Sequence, residues 1–336
     1  MANNHAAAIR SGTMAAGRLH RELDSQKALA ECAGNIDVFE ALLKVDLPHL
    51  LRPLNSLLGV YLKDPTPGVM ITTQRPLSVQ RFTAAHELGH HVLGHEPSLD
   101  NDGILRRSPF AGPSDSTVRE TEANAFAAAF LMPRWLIEWH FNRQNWTPHA
   151  FLDFANLYQL SLRLGVSYEA ICWTLQQYRL LTPADSIAAR KREPREFKTM
   201  LLADYQPKDY RGDVWLLTER DAATQIAGSR NDVFVLRLTE NSGAGYLWDF
   251  DQLQASGFAI LRDAVNANDD DGVGGPVVRQ ITASGESAGR GQVTVDERQP
   301  WDPDETRHTL TLVYDLTGPE PEGLSRAERR LVLATA

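Results

Sequence analysis

The stretch that decides the fold is Phe82-Thr-Ala-Ala-His86-Glu87-Leu-Gly-His90-His91, which contains the pattern His-Glu-x-x-His. Residues four apart lie on one face of a helix, so His86 and His90 can bind one metal ion together. Glu87 can reach a water on that metal and act as a general base. The flanking residues are small or apolar, which predicts a buried helix over residues 78–93. Burying two histidines and a carboxylate in such a helix needs a reason.

A second segment, Arg119-Glu-Thr-Glu-Ala-Asn-Ala-Phe-Ala-Ala-Ala-Phe-Leu-Met-Pro133, supplies candidates for a third ligand. A catalytic zinc ion usually takes three protein ligands and leaves one position open. Glu120 completes a His-His-Glu set, and Asn124 can accept the second ring N–H of a ligand histidine. Glu122 is the alternative third ligand. The two glutamates point about 200° apart around a helix, so both cannot face one metal.

Together, the His-Glu-Leu-Gly-His motif and the later Glu-x-x-Ala-Asn-x-Phe-Ala-Ala-x-x-Leu-Met-Pro motif resemble those of the ImmA/IrrE metallopeptidases, which are gluzincins. The resemblance implies zinc as the cofactor, with manganese as an alternative. It also implies His86, His90 and Glu120 as ligands and Glu87 as the catalytic base. Enzymes of this family typically cut a helix-turn-helix repressor and release genes of mobile elements or stress responses, so such a repressor is the expected partner.

Several residues near the motif keep open roles. His91 and His95 are candidates for extra ligands or transition-state donors, although both also fit an ordinary helix end. The residue that supports the oxyanion is not determined by the pattern, and the candidates are Tyr158, Tyr168 and His91. Residues 158–175 fit a helix-turn-helix DNA reader. The second helix there is apolar where a reading helix should be polar or basic, which favours a packing element.

The composition is that of a globular protein with two domains: 336 residues, 43% of them hydrophobic. A net charge of −9 argues against a general polyanion-binding surface, so we expect no direct nucleic-acid binding. The two cysteines, Cys32 and Cys172, are expected to be free thiols in a reducing compartment. The sequence shows no apolar run of membrane-spanning length and no signal-peptide pattern at residues 1–10, so we expect a cytoplasmic protein with no membrane contact.

The predicted organisation is α+β and multidomain: a mostly helical metallopeptidase domain with a small sheet, followed by an immunoglobulin-like all-β sandwich. In the first domain we predict a helix over 35–44 and strands over 57–62 and 69–73. Prolines and a basic run predict a linker before the second domain. The predicted boundaries are an N-terminal lead-in at 1–24, the metallopeptidase domain at 25–182, the linker at 183–210, the sandwich at 211–318 and a C-terminal tail at 319–336.

From Asp213 onward the apolar pattern changes to a period of two, which predicts strands. Short strands of this kind within about a hundred residues are typical of an immunoglobulin-like sandwich. The predicted strands are 214–218, 233–238, 246–250, 258–262, 277–281, 292–295 and 309–316. The sequence Gly285-Glu-Ser-Ala-Gly289 matches a nucleophile elbow, but a strand follows it where that motif needs a helix, so we predict a hairpin turn.

Three loops of this domain resemble those of chagasin-like inhibitors of papain-type cysteine peptidases. They are Asn241-Ser-Gly-Ala-Gly-Tyr-Leu-Trp248, Gly272-Val-Gly-Gly275 and Arg298-Gln-Pro-Trp301. The first loop lacks the Pro-Thr-Thr of that family, and Gln299 is inserted in the third, which puts tight inhibition in doubt. The resemblance implies a loop binding site for a peptidase or another protein, formed by Asn241, Gly245, Tyr246, Gly274, Gly275, Arg298 and Trp301.

Two functions from different classes follow. The first is a zinc-dependent endopeptidase, with the sandwich as a docking or regulatory module. The alternative is a binding or inhibitor protein that acts through the chagasin-like loops and carries a vestigial metal domain. The presence of Glu87 together with all three candidate ligands favours the enzyme.

Overall fold

The computed structural model describes residues 2–27, 34–96, 98–101, 118–266 and 275–335. Packing divides the chain into two compact units. The first unit comprises Met1–Asn142, Thr147–Lys191 and Pro319–Ala336, and the second comprises Arg143–Trp146 and Arg192–Gly318. The boundaries predicted for the domains stay a prediction, but most of the second unit lies as one insertion in the chain of the first.

The elements follow in chain order. From the N-terminus they are α1 (Ala2–Glu22), α2 (Val38–Lys44), β1 (His49–Arg52), β2 (Leu57–Leu62), β3 (Gly68–Thr72), α3 (Leu77–Val92), β4 (Ser98–Asn101), α4 (Val118–Leu131), α5 (Arg134–Gln144), α6 (Phe154–Leu164), α7 (Tyr168–Gln177) and α8 (Pro183–Arg190). They continue with α9 (Pro194–Leu202), β5 (Val214–Leu217), β6 (Gln225–Ala227), β7 (Val233–Glu240), β8 (Leu247–Asp249), α10 (Asp251–Ala255), β9 (Phe258–Asn266), β10 (Val277–Gly285), β11 (Arg290–Gln299), β12 (Asp302–Asp315) and α11 (Arg326–Thr335).

The first unit has one four-stranded sheet in the order β1-β3-β2-β4. β1 runs parallel to β3, whereas β2 is antiparallel to both of its neighbours. Helix α3 packs against β2 and β3 on one side and against α4 on the other. The predicted strands at 57–62 and 69–73 correspond to β2 and β3, and the predicted metal helix corresponds to α3. The small sheet therefore supports the helix that carries the histidines.

The segment predicted as a lead-in, either loose or forming a short helix, contains the long helix α1, which packs along α4. Its contact face is made of small residues such as Ala15 and Ala16, which are fully buried. A Cβ on Gly12 would lie 2.1 Å from the Glu122 carbonyl oxygen, so the two backbones approach closely at this point. A face of alanine and glycine gives a weak apolar pattern, which explains why the sequence predicted at most a short helix here.

Residues 319–335, predicted as a tail, return to the first unit; we call them the C-terminal return. The buried amide of Gln80 in α3 donates to the carbonyl oxygens of Thr72 (3.1 Å) and Glu320 (3.2 Å) and accepts from the Glu320 N–H at 2.7 Å. Leu51 and Gly323 form a β-bridge with backbone bonds in both directions. The C-terminal return therefore braces both α3 and the edge of the sheet.

The stretch predicted as a linker, 183–210, contains the two short helices α8 and α9. Pro183 and Pro194 are the first residues of these helices, where a missing N–H costs nothing. The Thr182 side chain caps α8, and Glu193 and Glu196 form a capping box at α9. The prolines therefore mark the starts of helices and not the irregular linker predicted from them.

The second unit is a β-sandwich of two four-stranded sheets, in the orders β5-β7-β10-β9 and β6-β12-β11-β8. The predicted fold class is confirmed, and every predicted strand is present. β6, a three-residue strand parallel to β12, was not predicted. The turn after Gly285 is not a hairpin turn as predicted, because β10 and β11 belong to different sheets. The core contains the buried side chains Leu217, Phe234, Leu236, Phe258, Val293 and Leu312.

Cys32, predicted to be a free thiol, and Gly274, predicted to belong to the loop binding site, lie outside the described residues. Cys172 is buried and free, and burial raises the pKa of its thiol to about 12. A thiol of this kind stays protonated and behaves as a small apolar side chain.

Among the helices of the described ranges, none combines the length and the apolar character needed to cross a membrane.

Candidate metal centre

Helix α3 presents His86 and His90 on one face, and both side chains are 1% exposed. α3 crosses α4 at Gly89, where a Cβ would lie 3.0 Å from the ring of Phe126. The glycine of the His-Glu-x-x-His motif therefore lets α4 approach α3 closely. That approach brings Glu120, in the first turn of α4, beside the two histidines.

Three side chains that could hold a metal ion converge at this crossing. The Nε2 atoms of His86 and His90 lie 3.0 Å apart, and they lie 3.4 and 3.6 Å from the two carboxylate oxygens of Glu120. Two nitrogens at ~2.0–2.1 Å from a tetrahedral zinc ion are roughly 3.3–3.4 Å apart. The two-nitrogen, one-oxygen set therefore fits a zinc ion in donor type and in spacing. Glu120 is 26% exposed, so the cluster is open to solvent on the side where Glu120 lies.

Glu87 is fully buried and lies beneath strand β2. A Cβ on Gly59 of β2 would lie 2.3 Å from Glu87 Oε1 and 2.5 Å from a methyl of Thr83. The backbone at Gly59 therefore passes directly over the carboxylate that the sequence predicts as the base. An isolated glycine in a strand is a recognised sign of such a close approach, but the sequence does not say what approaches.

Of the two glutamates considered as third ligand, Glu120 is the one that reaches the histidines. Glu122 instead places a carboxylate oxygen 3.1 Å from Nε2 of His95. His95 in turn has its Nδ1 atom 2.9 Å from Nδ1 of His90. Burial lowers the pKa of His95 and so favours the neutral ring, although the nearby Glu122 carboxylate acts in the opposite direction. His95 therefore links Glu122 to His90, one of the three converging side chains.

The remaining predicted residues have other surroundings. The Asn124 amide oxygen is buried and makes no hydrogen bond to any residue that the structure describes, so its role beside a ligand stays a prediction.

His91 Nδ1 lies 3.3 Å from the hydroxyl of Tyr61, whose ring stacks on His90. The Tyr168 hydroxyl donates to the Ala189 carbonyl, which ties α7 to α8. Tyr158 is buried in α6. Tyr61 was not identified from the sequence.

Two loops of the second unit are held by carboxylates of neighbouring strands. The backbone N–H and the side-chain amide of Asn241 both donate to Glu297, whose side chain is fully buried. Asn241 therefore anchors its loop to β11. The Arg298 guanidinium pairs with Asp249, which raises the pKa of the arginine.

Two of the three predicted loops meet where Gly245 contacts Trp301. Gly245 has a φ of +81°, and a Cβ there would lie 2.4 Å from the indole ring. Trp301 is 71% exposed, so the outer part of its six-membered ring contacts the glycine while most of the side chain faces solvent. The Tyr246 hydroxyl donates to Glu305 at 2.8 Å. Gly275, just before β10, belongs to the second loop, whose Gly274 lies outside the described residues.

Two family models match the chain. Residues 50–176 match the peptidase M78 family model, described as the IrrE N-terminal-like domain. Residues 229–314 match the chagasin family of peptidase inhibitors, I42. The chain therefore carries an IrrE-like peptidase-family domain and a chagasin-like domain, as the resemblances predicted. The first match indicates the metallopeptidase class. No curated protein matches the chain.

Solved structures of chagasin-type inhibitors are similar to part of the chain. The cysteine protease inhibitor EhICP2 from Entamoeba histolytica is 22% identical, over 30% of this chain and 93% of its own, with a TM-score of 0.26. Amebosin is 25% identical, over 30% of this chain and 94% of its own, with a TM-score of 0.26. PbICP-C, solved in complex with falcipain-2, is 12% identical, over 33% and 95%, with a TM-score of 0.20.

Proposed function

We propose that the chain is a zinc-dependent endopeptidase whose zinc ion is held by His86, His90 and Glu120. One observation carries the proposal: these ligand atoms converge beside the buried Glu87, within the segment that matches a peptidase family. A bound zinc ion would polarise a peptide carbonyl and lower the pKa of a water molecule. Manganese is the alternative metal, because its usual donors include carboxylates.

Glu87 is assigned the proton transfers. It follows His86 directly in the chain, so its side chain leaves α3 about 100° around the helix from that of His86. It would accept a proton from the attacking water and pass it to the nitrogen of the leaving amine. The backbone at Gly59 covers the carboxylate and restricts where it can lie. Fixed placement of the base relative to the substrate is the contribution that the fold makes to this step.

The proposed substrate is a helix-turn-helix repressor, and its cleavage would release genes of a stress or mobile-element response. This rests on the resemblance to the ImmA/IrrE enzymes and on the match of residues 50–176. Such a substrate would place the reaction in the cytoplasm. The sandwich would serve as a docking or regulatory module that uses its three loops to hold a protein partner.

The test compares newly formed protein N-termini in host cells that express the wild type, Glu87→Gln or the surface control Glu138→Gln. Glu87→Gln keeps the size of the side chain and removes its basicity. We expect one new terminus, in a repressor, with the wild type and the control and none with Glu87→Gln. Identical sets of termini with the wild type and Glu87→Gln, with and without DNA-damage stress, would count against the enzyme.

A second function is supported by the chagasin family match and by the exposed Trp301 beside Gly245. In this alternative the chain binds a papain-type peptidase through the loops of the sandwich. Inhibition of papain by the whole protein, weakened by Trp301→Ala and unchanged by Glu87→Gln, would support it. Absence of any papain inhibition at micromolar concentrations would remove this support.

A further inference from the structure

Helix α3 ends in a turn that returns the chain to His90. Gly94 has a φ of +67°, its N–H donates to the His91 carbonyl, and the His95 N–H donates to the His90 carbonyl at 2.9 Å. These two bonds around a left-handed glycine form a Schellman motif, which fixes the residue after the glycine against the last turn of the helix. The backbone of His95 is therefore held beside the ligand histidine by the helix end itself.

The side chains of the same two residues also meet. Their Nδ1 atoms are 2.9 Å apart, which is hydrogen-bond distance. A neutral imidazole carries a proton on one nitrogen and a lone pair on the other. One of these Nδ1 atoms must therefore donate and the other must accept. The direction of this bond decides whether His90 presents a lone pair or a proton at Nε2, the atom that faces Glu120 and His86.

Glu122 sets that direction from the far side of His95. Its carboxylate oxygen lies 3.1 Å from His95 Nε2, and an ionised carboxylate can only accept a hydrogen bond. His95 must then carry its proton on Nε2 and offer a lone pair at Nδ1. It follows that His90 donates from Nδ1 and directs the lone pair of Nε2 toward the metal site. Glu122 is in α4, so the same helix supplies the third ligand and this support.

We propose that His95 and Glu122 are positioning residues that fix the tautomer and the ring orientation of His90 for metal binding. The proposal rests on the proposed function, because it assigns His90 as a zinc ligand. Partners of this kind typically change metal affinity by about 10- to 100-fold when removed. It also gives a role to two residues that the ligand set leaves unused, the alternative glutamate and the histidine after Gly94.

The experiment measures zinc affinity by competition with a chromophoric chelator, using the full chain. The variants are His95→Leu, His95→Gln, Glu122→Leu and Glu122→Gln, with the exposed His149→Gln as a control for the loss of a histidine. We expect the zinc Kd to rise about 10- to 100-fold in both leucine variants. The glutamine variants keep an acceptor at each position, so their Kd should rise less. Thermal unfolding of the metal-free variants identifies any that fail to fold.

A second readout follows the tautomer directly. In zinc-loaded protein labelled with ¹⁵N-histidine, His90 should show a proton on Nδ1 that exchanges slowly with solvent, and His95→Leu should speed that exchange. An unchanged Kd and an unchanged His90 proton in all four variants would overturn the proposal while leaving the zinc enzyme intact. If the wild type binds no zinc, the proposed function fails as well, and the two failures are thereby distinguished.

Discussion

Gly59 lies so close to Glu87 that position 59 has no room for a side chain: a Cβ there would be 2.3 Å from the Glu87 carboxylate. Gly59 is in β2 and Glu87 is in α3, and their contact limits where the carboxylate of the candidate base can lie. The proposed metal ligands His86, His90 and Glu120 are not among the residues of the three atoms nearest to this Cβ. The base and the ligands can therefore be disturbed separately.

Gly59→Ala is expected to lower kcat about 100-fold while leaving the zinc Kd unchanged. Ordinary contact requires the carboxylate or the strand to move by roughly 1 Å, and a displacement of that size can cost about 10²-fold in rate. The measurement is the cleavage rate of the substrate found from the new N-termini, together with zinc competition. Gly68→Ala in the neighbouring strand is the control, since the nearest atom to its Cβ would be 3.5 Å away. Equal rates for the two variants would show that the Gly59 contact does not place the base.

His20 is expected to make the protein less stable as the pH falls from about 6.5 to about 4. Burial lowers the pKa of this histidine from 6.5 to about 4, so the folded state binds its proton less readily than the unfolded state. The contribution is therefore fully present above pH 6.5 and is lost as the pH falls through this range. A pKa difference of this size corresponds to about 3 kcal/mol.

The measurement for His20 is the unfolding transition of the wild type and of His20→Gln between pH 7.5 and pH 4. The glutamine amide can still donate to the Phe130 carbonyl, which His20 Nε2 contacts at 3.0 Å. Burial also lowers the pKa of His49 and His91, so both proteins lose stability on acidification. The wild type should lose more, and parallel curves would contradict the assignment to His20.

Deleting residues 319–336 is expected to destabilise the first unit by at least about 3 kcal/mol. The deletion removes two hydrogen bonds to Gln80, the β-bridge between Leu51 and Gly323, and the bond between His49 and Ser325 at 2.7 Å. Each such bond contributes roughly 0.5–1.5 kcal/mol, and buried groups left without partners cost more. The measurement is denaturant unfolding followed by a probe in α3.

Gln80→Leu provides the matched variant for that deletion. It should lower the free energy of unfolding in the full chain by about 1–3 kcal/mol, because the Glu320 N–H loses its acceptor. In the deleted chain the same substitution should cost less, so the two changes should not be additive. Strict additivity would mean that Gln80 and the C-terminal return do not interact.

Alanine substitution should destabilise the sandwich strongly at one tryptophan and hardly at all at another. Trp248 is 4% exposed and its indole N–H donates to the Thr239 carbonyl, so Trp248→Ala should cost about 3–5 kcal/mol. Trp301 is 71% exposed, so Trp301→Ala should change stability by less than about 0.5 kcal/mol. Thermal unfolding of both variants tests this. A large loss of stability in Trp301→Ala would make Trp301 a structural residue and weaken its proposed role in binding.

The sequence predicted the parts of the site that depend on local spacing. His86 and His90 are four residues apart on one helix, and helical geometry alone places them together. Glu120 was identified with Glu122 as its alternative, because the choice depends on how α4 is rotated against α3. That rotation is set by close packing at Gly89 and Phe126, which no spacing along the chain reveals.

Contacts between distant segments were the ones that the sequence did not predict. Gln80 and Glu320 are 240 residues apart, and their hydrogen bonds have no pattern that could be found along the chain. The position of Gly59 over Glu87 is of the same kind. In the sandwich, alternation predicted the strands well, but it could not show that β10 and β11 lie in different sheets, because alternation describes one strand and not its neighbour.

The C-terminal return changes what limited proteolysis does to this chain. Residues 192–318 of the second unit are joined to the first unit at both ends, since residues 319–335 are built into it. One cut at either junction leaves the sandwich covalently attached through the other. Release of a free sandwich therefore requires two cleavages, and a single nick would be seen on a denaturing gel but not by size-exclusion chromatography.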